Sequence, residues 1–253
     1  MTVSLARAFS VSRELLCLGP QDVHIWLRPR SAVIDSDQFK RSVLSRYAPV
    51  ASADWKFTVG TQGKPALAIS PLPLDFNLSD SGDWLACAVT GGTPIGVDLE
   101  YCEADRDVMK LARRFFQPEE VTCLARCDQA QQVGLFYDYW TLKEARIKAS
   151  GSALGLELEN CGFKLHNSSG EGNEQRVQRI VESPLTSGPP YYYCLFQPVP
   201  GYRLAISWLR PGNTRPRVHF YPMMPGCAEY GEGVPSPSLL AASEATEVFH
   251  TIA

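Results

Sequence analysis

The sequence predicts an α+β fold, in which strands and helices occupy separate stretches of the chain. Short apolar, strand-like segments dominate up to about residue 100, helical periodicity extends from about 105 to 151, and strand-like segments return after 162. The chain has 253 residues, which is enough to bury a large core in one domain or in two compact halves.

The N-terminal part combines short strands with one short helix. The periodicity over 38–47 predicts the helix. The Gly- and Pro-containing turn at 91–94 predicts a hairpin between its two neighbouring strands, 84–89 and 95–100. The earlier strand-like segments share apolar residues and turn formers at their ends, and they are 15–18, 23–27 and 55–59.

The middle of the chain is helical, and the C-terminal part returns to strands. The pattern predicts a helix over 105–116, a second helix that starts at Pro118, and a long helix from about 131 to 151. From about residue 224 the chain is rich in Gly, Pro, Ser and Ala, which predicts a mobile extension or a peripheral strap. The C-terminal strand-like segments are 162–165, 191–196 and 203–209.

Composition argues against several classes of protein. The net charge of -3 and the lack of a long basic run argue against nucleic-acid binding. No segment approaches the ~20 consecutive apolar residues that a membrane span requires. Arg13 and Glu14 interrupt the apolar N-terminal stretch, which makes it a poor signal peptide, so we expect a cytoplasmic protein. The eight cysteines include no Cys-x-x-Cys pair, and we expect reduced thiols.

Two acidic side chains project from one predicted strand. Over 95–100, apolar residues alternate with Asp98 and Glu100. Residues on the same face of a strand lie roughly 6.5–7 Å apart, so both carboxylates can reach one hard cation. Taken alone, an Asp-x-Glu pair at a strand end is more often a solvated edge.

A second set of charged side chains lies on the predicted long helix. Trp140, Glu144 and Lys148 recur every four residues and share one stripe of the helix. Together with Asp98 and Glu100 they offer three carboxylates and an ammonium group, which is the set needed to hold magnesium and a diphosphate. By itself the helical pattern also fits ordinary surface ion pairing.

These segments resemble the large, two-lobed class of 4′-phosphopantetheinyl transferases, which activate carrier proteins of nonribosomal peptide and polyketide synthases. The similarity extends from about residue 41 to about residue 209, and the matching segments occur in the order typical of the family. They are 63–65 (Gly-Lys-Pro), 76–79 (Phe-Asn-Leu-Ser) with Ser81, 96–100 (Gly-Val-Asp-Leu-Glu), 114–116 (Arg-Phe-Phe), and 140–145 (Trp-Thr-Leu-Lys-Glu-Ala) with Lys148.

The resemblance implies an architecture and a reaction. It implies two similar α+β lobes, 1–103 and 104–253, related by a pseudo-twofold axis, with the active site in the cleft between them. The reaction would move the 4′-phosphopantetheine arm of coenzyme A to a serine of an acyl or peptidyl carrier protein and release adenosine 3′,5′-bisphosphate. Mg²⁺ would be the metal, with Mn²⁺ as an alternative, and we expect a monomer.

The resemblance also assigns roles to individual side chains. Asp98, Glu100 and Glu144 would be the metal ligands, and Glu144 would also take the proton of the attacking serine. Lys148 would neutralise the diphosphate of coenzyme A. The side chains expected around the phosphates of the nucleotide are Lys64, Ser79, Asp80, Arg41 and Lys148.

The chain departs from the family at two places. The family usually has a histidine that donates to the 3′-phosphate of coenzyme A, but this position is Asp80, whose carboxylate repels a phosphate. Unless another cation such as Arg41 or Lys64 takes over, we expect only a weak preference for coenzyme A over its 3′-dephospho form. Only about 31–47 is left for a long basic helix that family members carry, so this lobe is shortened.

Two other functions stay open. A carrier-protein-binding relative could keep the fold and lose efficient use of coenzyme A. A magnesium-dependent phosphodiesterase could use the same carboxylates to hydrolyse a small diphosphate. This second activity needs a base that positions water, and all of the histidines are distant from the motifs in sequence; they are His24, His166, His219 and His250.

The segment after the long helix is where the resemblance implies contact with the carrier protein. Leu154, Leu156 and Leu158 alternate there, which favours apolar docking of the carrier. The same spacing fits a strand that faces the core equally well.

Overall fold

The computed structural model describes residues 15–30, 35–60, 63–151, 158, 161–167, 179–182, 191–209, 216–222, 237–242 and 247–250. Within these ranges the chain has the predicted α+β fold. The helices are α1 (Ser36–Leu44), α2 (Val108–Phe115), α3 (Pro118–Ala125) and α4 (Gln129–Ser150). None of them is both long and apolar enough to cross a membrane. The strands are β1 (Asp22–Pro29), β2 (Phe57–Val59), β3 (Pro65–Leu67), β4 (Asp75–Ser81), β5 (Trp84–Thr90), β6 (Ile95–Tyr101), β7 (Lys164–Asn167), β8 (Arg179–Glu182), β9 (Tyr191–Gln197), β10 (Tyr202–Leu209), β11 (Arg217–Pro222), β12 (Ser238–Ala242) and β13 (Glu247–His250).

Two mixed sheets form the centre of the described structure. The first sheet has the order β13-β11-β1-β5-β4, and the second has the order β6-β10-β9-β12-β8-β7. Each sheet contains strands from both halves of the chain. β6 belongs to the second sheet, whereas the late strands β11 and β13 belong to the first. Sheet membership therefore does not change at residue 103. The predicted division into lobes 1–103 and 104–253, with its pseudo-twofold axis, stays a prediction.

The predicted hairpin between 84–89 and 95–100 is wrong. β5 pairs with β1 and β4, whereas β6 pairs antiparallel with β10. The outward N–H groups of β6 instead donate to side chains of β4, which are Asn77 at 2.8 Å, Ser79 at 3.0 Å and Ser81 at 3.0 Å. Polar side chains at alternate positions of β4 thus accept hydrogen bonds from the backbone N–H groups of β6. In a continuous sheet, the carbonyl groups of a neighbouring strand would accept them.

The predicted mobile tail is partly described, and the described part is regular. β12 pairs with β9 and β8 inside the second sheet. β13 pairs parallel with β11 in the first sheet. These two segments are strands because their backbone groups find partners in existing sheets, although their composition gives little sign of it. The rest of the region from residue 224 lies outside the described residues.

Apolar clusters separate the structure into layers. One cluster lies between the two sheets and includes Ile25, Val97 and Ile206. A second cluster packs α2, α3 and α4 against the outer face of the second sheet. A third packs α1 against the outer face of the first sheet. Alternation along β6 therefore turns its apolar residues between the sheets and leaves Asp98 and Glu100 on the face that meets α4.

The ends of α4 are defined by local chemistry. The side chain of Asp128 accepts a hydrogen bond from the backbone N–H of Gln131 at 2.9 Å, which satisfies a donor in the first turn. Gly151 follows the last turn with a φ of 69°, a left-handed conformation that glycine adopts without steric cost. The long helix predicted from the sequence is thereby confirmed, with Glu144 and Lys148 in its C-terminal half.

A buried polar cluster joins β1, β11 and the end of α1. His24 is 3% exposed, and its Nδ1 lies 3.0 Å from the hydroxyl of Tyr47. Potential ligand atoms of Asp22, His24 and His219 all lie within 4.8 Å of one another. The guanidinium of Arg217 already donates to Asp22 at 2.8 and 2.9 Å, however, so the carboxylate charge is paired without a metal. We interpret this cluster as a structural network.

This cluster makes the protein sensitive to acid. Burial, together with the neighbouring His219, lowers the pKa of His24 to about 3, although Asp22 acts in the opposite direction. The unfolded chain therefore binds the proton more readily, and stability falls as the pH drops below the ordinary value of 6.5. We expect His24 to account for about 2 kcal/mol lost between pH 6.5 and about pH 5.

The prediction is tested by urea unfolding of wild type and His24→Gln at about pH 7.5 and about pH 5. The variant should lose less stability than wild type over this interval, even if it is less stable at the higher pH. Equal losses in the two proteins would contradict the assignment.

Candidate active site

The candidate site lies where α4 crosses β6, and Gly96 permits the close crossing. A Cβ atom at residue 96 would lie 2.0 Å from the carbonyl oxygen of Ala145 and 2.5 Å from the backbone nitrogen of Ala149. Only glycine leaves room for the helix backbone at this distance. The face of β6 that carries Asp98 and Glu100 is consequently brought against the turn of α4 that carries Glu144.

Asp98 and Lys148 form the centre of the site. Asp98 is 3% exposed, and its Oδ1 accepts hydrogen bonds from the Nζ of Lys148 at 2.6 Å and from the hydroxyl of Ser79 at 3.1 Å. Lys148 also lies 3.1 Å from the Ser79 hydroxyl. The other carboxylate oxygen of Asp98, Oδ2, is buried without a hydrogen-bond partner in the described structure. An orphaned buried carboxylate oxygen is a position that a cation would satisfy.

Glu100 and Glu144 complete the acidic group. The hydroxyl of Ser81 donates to Oε2 of Glu100 at 2.9 Å, and it also accepts the backbone N–H of Tyr101. Glu144 is buried, and its carboxylate experiences the negative charges of both Asp98 and Glu100. The three acids predicted from sequence therefore face one region. One oxygen from each acid cannot be chosen so that all three lie within 4.8 Å of one another. The three acids are therefore more widely spaced than the ligand atoms of Asp22, His24 and His219.

The electrostatics of the site favour a bound cation. Burial and, to a smaller extent, the neighbouring charge of Asp98 raise the pKa of Glu144 to about 7. Burial also raises the pKa of Asp98 and of Glu100, while Lys148 opposes the rise at both. The carboxylates in turn raise the pKa of Lys148, in spite of its burial. In the described structure, three acids with one ammonium group among them fit a hard divalent ion with oxygen ligands.

Trp140 belongs to the aromatic core and also borders the site. Its ring stacks on Phe136, with centroids 5.7 Å apart, and meets the edge of Phe115 at 6.0 Å. A side-chain hydrogen bond from Trp140 also helps to lower the pKa of Glu100 against the effect of burial. The residue therefore fixes the orientation of α4 and contacts the acidic group.

Lys143 has a structural position that the helical pattern did not indicate. Its side chain is fully buried, and its Nζ pairs with Glu120 of α3 at 2.9 Å. The same Nζ donates to the carbonyl oxygens of Leu158 and Cys161. Surface ion pairing, one alternative for this part of the helix, is therefore wrong for Lys143. Removing one partner of such a buried pair typically costs ~3–5 kcal/mol.

Two of the predicted phosphate-binding cations have protein partners away from Asp98. Arg41 donates to Asp37 at 2.5 Å and to the carbonyl oxygen of Trp55 at 2.8 Å. Lys64 donates to the carbonyl oxygen of Ile95 at 2.9 Å and lies 3.4 Å from Asp75. Lys64 is thus held at the start of β6, whereas Arg41 is held against the loop after α1.

Asp80 has a partner that sequence reasoning missed. Its carboxylate pairs with Arg30, a residue directly after β1. Arg30 lies outside the matched motifs, and the pairing depends on β1 and β4 both flanking β5. Of the apolar residues considered for carrier docking, Leu158 is 3% exposed, while 154 and 156 lie outside the described residues.

Comparison with known proteins identifies the class to which this fold and site belong. Residues 94–194, which contain β6 and α4, match the family model of the 4′-phosphopantetheinyl transferase superfamily. The chain is 33% identical over 175 residues to the 4′-phosphopantetheinyl transferase Sfp of Bacillus subtilis, covering 69% of this chain and 72% of that protein. It is 40% identical over 116 residues to the 4′-phosphopantetheinyl transferase HetI of a Nostoc species, covering 45% of this chain and 49% of that one.

A putative 4′-phosphopantetheinyl transferase of a Synechocystis species is also similar, at 35% identity over 139 residues, which cover 53% of this chain and 52% of that protein. The chain belongs to the 4′-phosphopantetheinyl transferase superfamily. It is therefore a transferase of this class, and the family resemblance predicted from its motifs is confirmed.

Proposed function

We propose that the protein transfers the 4′-phosphopantetheine arm of coenzyme A to a serine hydroxyl of an acyl or peptidyl carrier protein and releases adenosine 3′,5′-bisphosphate. The observation that supports this most directly is the convergence of Asp98, Glu144 and Lys148 at the crossing of β6 and α4. This acidic group with one ammonium suits a metal-bound diphosphate. We place the protein in the cytoplasm as a monomer.

Asp98, Glu100 and Glu144 are the residues that would hold Mg²⁺, and Mn²⁺ offers the same oxygen-preferring chemistry. When bound, the ion supplies electrostatic stabilisation of the charge that develops on the diphosphate. The buried Oδ2 of Asp98, which has no hydrogen-bond partner in the described structure, supports this role.

Glu144 is the proposed base for the attacking serine. As the serine oxygen forms a bond to the phosphorus that bears the pantetheine arm, the bond from that phosphorus to the departing phosphate oxygen breaks. The serine proton passes to a carboxylate oxygen of Glu144. Burial raises the pKa of this carboxylate, which makes it a better proton acceptor than an ordinary glutamate, and a bound cation would oppose that rise.

Lys148 and the phosphate-binding side chains position the donor. The ammonium group of Lys148 is held by Asp98 at 2.6 Å, where it can neutralise one phosphate as the bond breaks. We assign contacts with the remaining phosphate groups to Ser79 and Lys64, which lie beside β6. Arg41 is the weakest member of this set, because its guanidinium is already engaged by Asp37, a carboxylate that it shares with Lys40.

The proposal is tested by incubating the full chain with coenzyme A, Mg²⁺ and a panel of apo acyl and peptidyl carrier domains. The expected result is a mass increase of the carrier equal to one phosphopantetheine group, and its loss when EDTA replaces Mg²⁺. Binding of carrier without any mass increase would favour the alternative, a carrier-binding relative that no longer uses coenzyme A efficiently. Asp80, in place of the family histidine, is the observation that keeps this alternative open.

A further inference from the structure

A row of three side chains crosses the first sheet on the face covered by α1. Arg28 of β1 is the register partner of Leu85 of β5, and Leu85 is the partner of Asp80 of β4. Side chains alternate between the two faces of a strand, so these three lie on the same face as Trp26 and Cys87. Trp26 and Cys87 belong to the apolar cluster that packs α1 against the first sheet. Arg30 extends this row, since it pairs with Asp80.

Among the described residues, Arg28 is a buried cation without a counter-charge. The residue is 8% exposed, and its Nε is buried without a hydrogen-bond partner in that part of the chain. No ion pair of Arg28 exists among the described residues, and burial lowers its pKa. Among the guanidinium nitrogens of Arg28, only Nε is both fully buried and without a partner in the described structure. A buried charge of this kind is costly unless a partner neutralises it.

The surroundings of Arg28 carry an excess of positive charge. Lys40 and Arg41 of α1 share a single carboxylate, Asp37, at 2.6 and 2.5 Å. Burial raises the pKa of the Cys87 thiol, and the charge of Lys40 partly offsets this rise. Lys40 is therefore close to the face that carries the row. Among the described residues, Arg28, Arg30, Lys40 and Arg41 are thus four cations with two paired carboxylates, Asp37 and Asp80. This imbalance suits a dianionic group.

The row lies beside the proposed diphosphate site. Asp80 stands between Ser79 and Ser81, whose hydroxyls donate to Asp98 and Glu100. β4 is the last strand of the first sheet, so a ligand can extend around its edge from one face to the other. In coenzyme A the 3′-phosphate and the diphosphate are attached to the same ribose, only a few bonds apart. A donor whose diphosphate lies at Asp98 and Lys148 can therefore bring its 3′-phosphate to this row.

We propose that Arg28 and Arg30 bind the 3′-phosphate of coenzyme A and so replace the missing histidine at residue 80. The inference rests on the proposed function, since it names the part of the donor that this row recognises. Arg30 exchanges part of its contact with Asp80 for the phosphate, and Arg28 gains a counter-charge, which none of the described residues supplies. Selectivity for the 3′-phosphorylated donor is then retained in spite of Asp80, through residues other than Arg41 and Lys64.

The test is calorimetric and needs no carrier protein. Adenosine 3′,5′-bisphosphate and adenosine 5′-monophosphate, which differ by the 3′-phosphate, are titrated into the full chain in the presence of Mg²⁺. Wild type should prefer the bisphosphate by at least ~10-fold, in line with a charge-assisted phosphate contact. The preference should fall to ~3-fold or less in the Arg28→Gln/Arg30→Gln double variant. Equal binding of the two nucleotides by wild type, or binding of neither, would overturn the inference.

Two further variants keep the test decisive if the loss of Arg28 impairs folding. Arg30→Gln alone should reduce the preference, because Asp80 is left without its partner and repels the phosphate. Asp80→Asn should increase the preference, because the repulsion is removed. Arg126→Gln, at an exposed arginine after α3, is the matched control and should leave the preference unchanged. An unchanged preference in both Arg30→Gln and Asp80→Asn would refute the assignment.

The outcome is separable from that of the transfer assay. A protein that modifies carriers but does not discriminate between the two nucleotides supports the proposed function and rejects the Arg28 and Arg30 site. A protein that discriminates through Arg28 and Arg30 but modifies no carrier supports the site and rejects the proposed function.

Discussion

Replacing Glu144 with glutamine is expected to lower the rate of phosphopantetheine transfer by at least ~100-fold, which is the usual range for loss of a general base. Glutamine has nearly the same shape but cannot accept the serine proton, and its neutral amide is a poor ligand for Mg²⁺. Glu144 is buried beside Asp98 and Glu100, and burial is the main cause of its raised pKa. Removing its charge therefore relieves repulsion, so the fold should survive.

Transfer is measured by the mass increase of an apo carrier, and folding by circular dichroism and thermal unfolding of the same preparation. Glu119→Gln is the matched control, because Glu119 is an exposed acid on α3, away from the proposed ligands. It should retain the wild-type rate. A Glu144→Gln enzyme with a near-normal rate would show that another group accepts the proton. The proposed role of α4 in the chemistry would then fail.

The acidic site could be predicted from sequence because its spacing is local. Alternation in β6 puts Asp98 and Glu100 on one face, and the four-residue interval in α4 does the same for Glu144 and Lys148. Family resemblance then joined the two elements, and the structure brings Lys148 to 2.6 Å from Asp98. The roles assigned to these side chains in metal binding and catalysis stay predictions.

Strand partners could not be predicted, since they depend on contacts between distant parts of the chain. A short turn favoured pairing of β5 with β6, but the side chains of β4 satisfy the outward N–H groups of β6, and its ladder forms with β10. The choice of a distant strand partner is invisible to local propensity.

The same limit applies to individual charges. The helical pattern around Lys143 fits an exposed ion pair as well as a buried one, because Glu120 lies in a different helix. Arg30 carried no motif, and its contact with Asp80 exists because β5 lies between β1 and β4. The sequence therefore indicates which residues can do chemistry more readily than it indicates which charges neutralise them.

Gly96→Ala is expected to destabilise the protein by at least ~3 kcal/mol, at the upper end of the range for overpacked cores. The added Cβ would lie 2.0 Å from the carbonyl oxygen of Ala145 and 2.5 Å from the nitrogen of Ala149. Both atoms belong to the backbone of α4, so no side-chain rotation can relieve the overlap. Relief requires α4 to move away from β6, which also separates Glu144 from Asp98.

Gly134→Ala provides a control within the same helix. A Cβ at residue 134 would meet only the flexible end of Arg203, at 3.3 Å, and alanine favours a helix interior by ~1 kcal/mol over glycine. This variant should therefore match or exceed wild type in urea unfolding, while Gly96→Ala loses both stability and transfer activity. If Gly96→Ala were as stable and active as wild type, the close crossing of α4 over β6 could not be what holds the acidic group together, and the geometric basis of the site would have to be sought elsewhere.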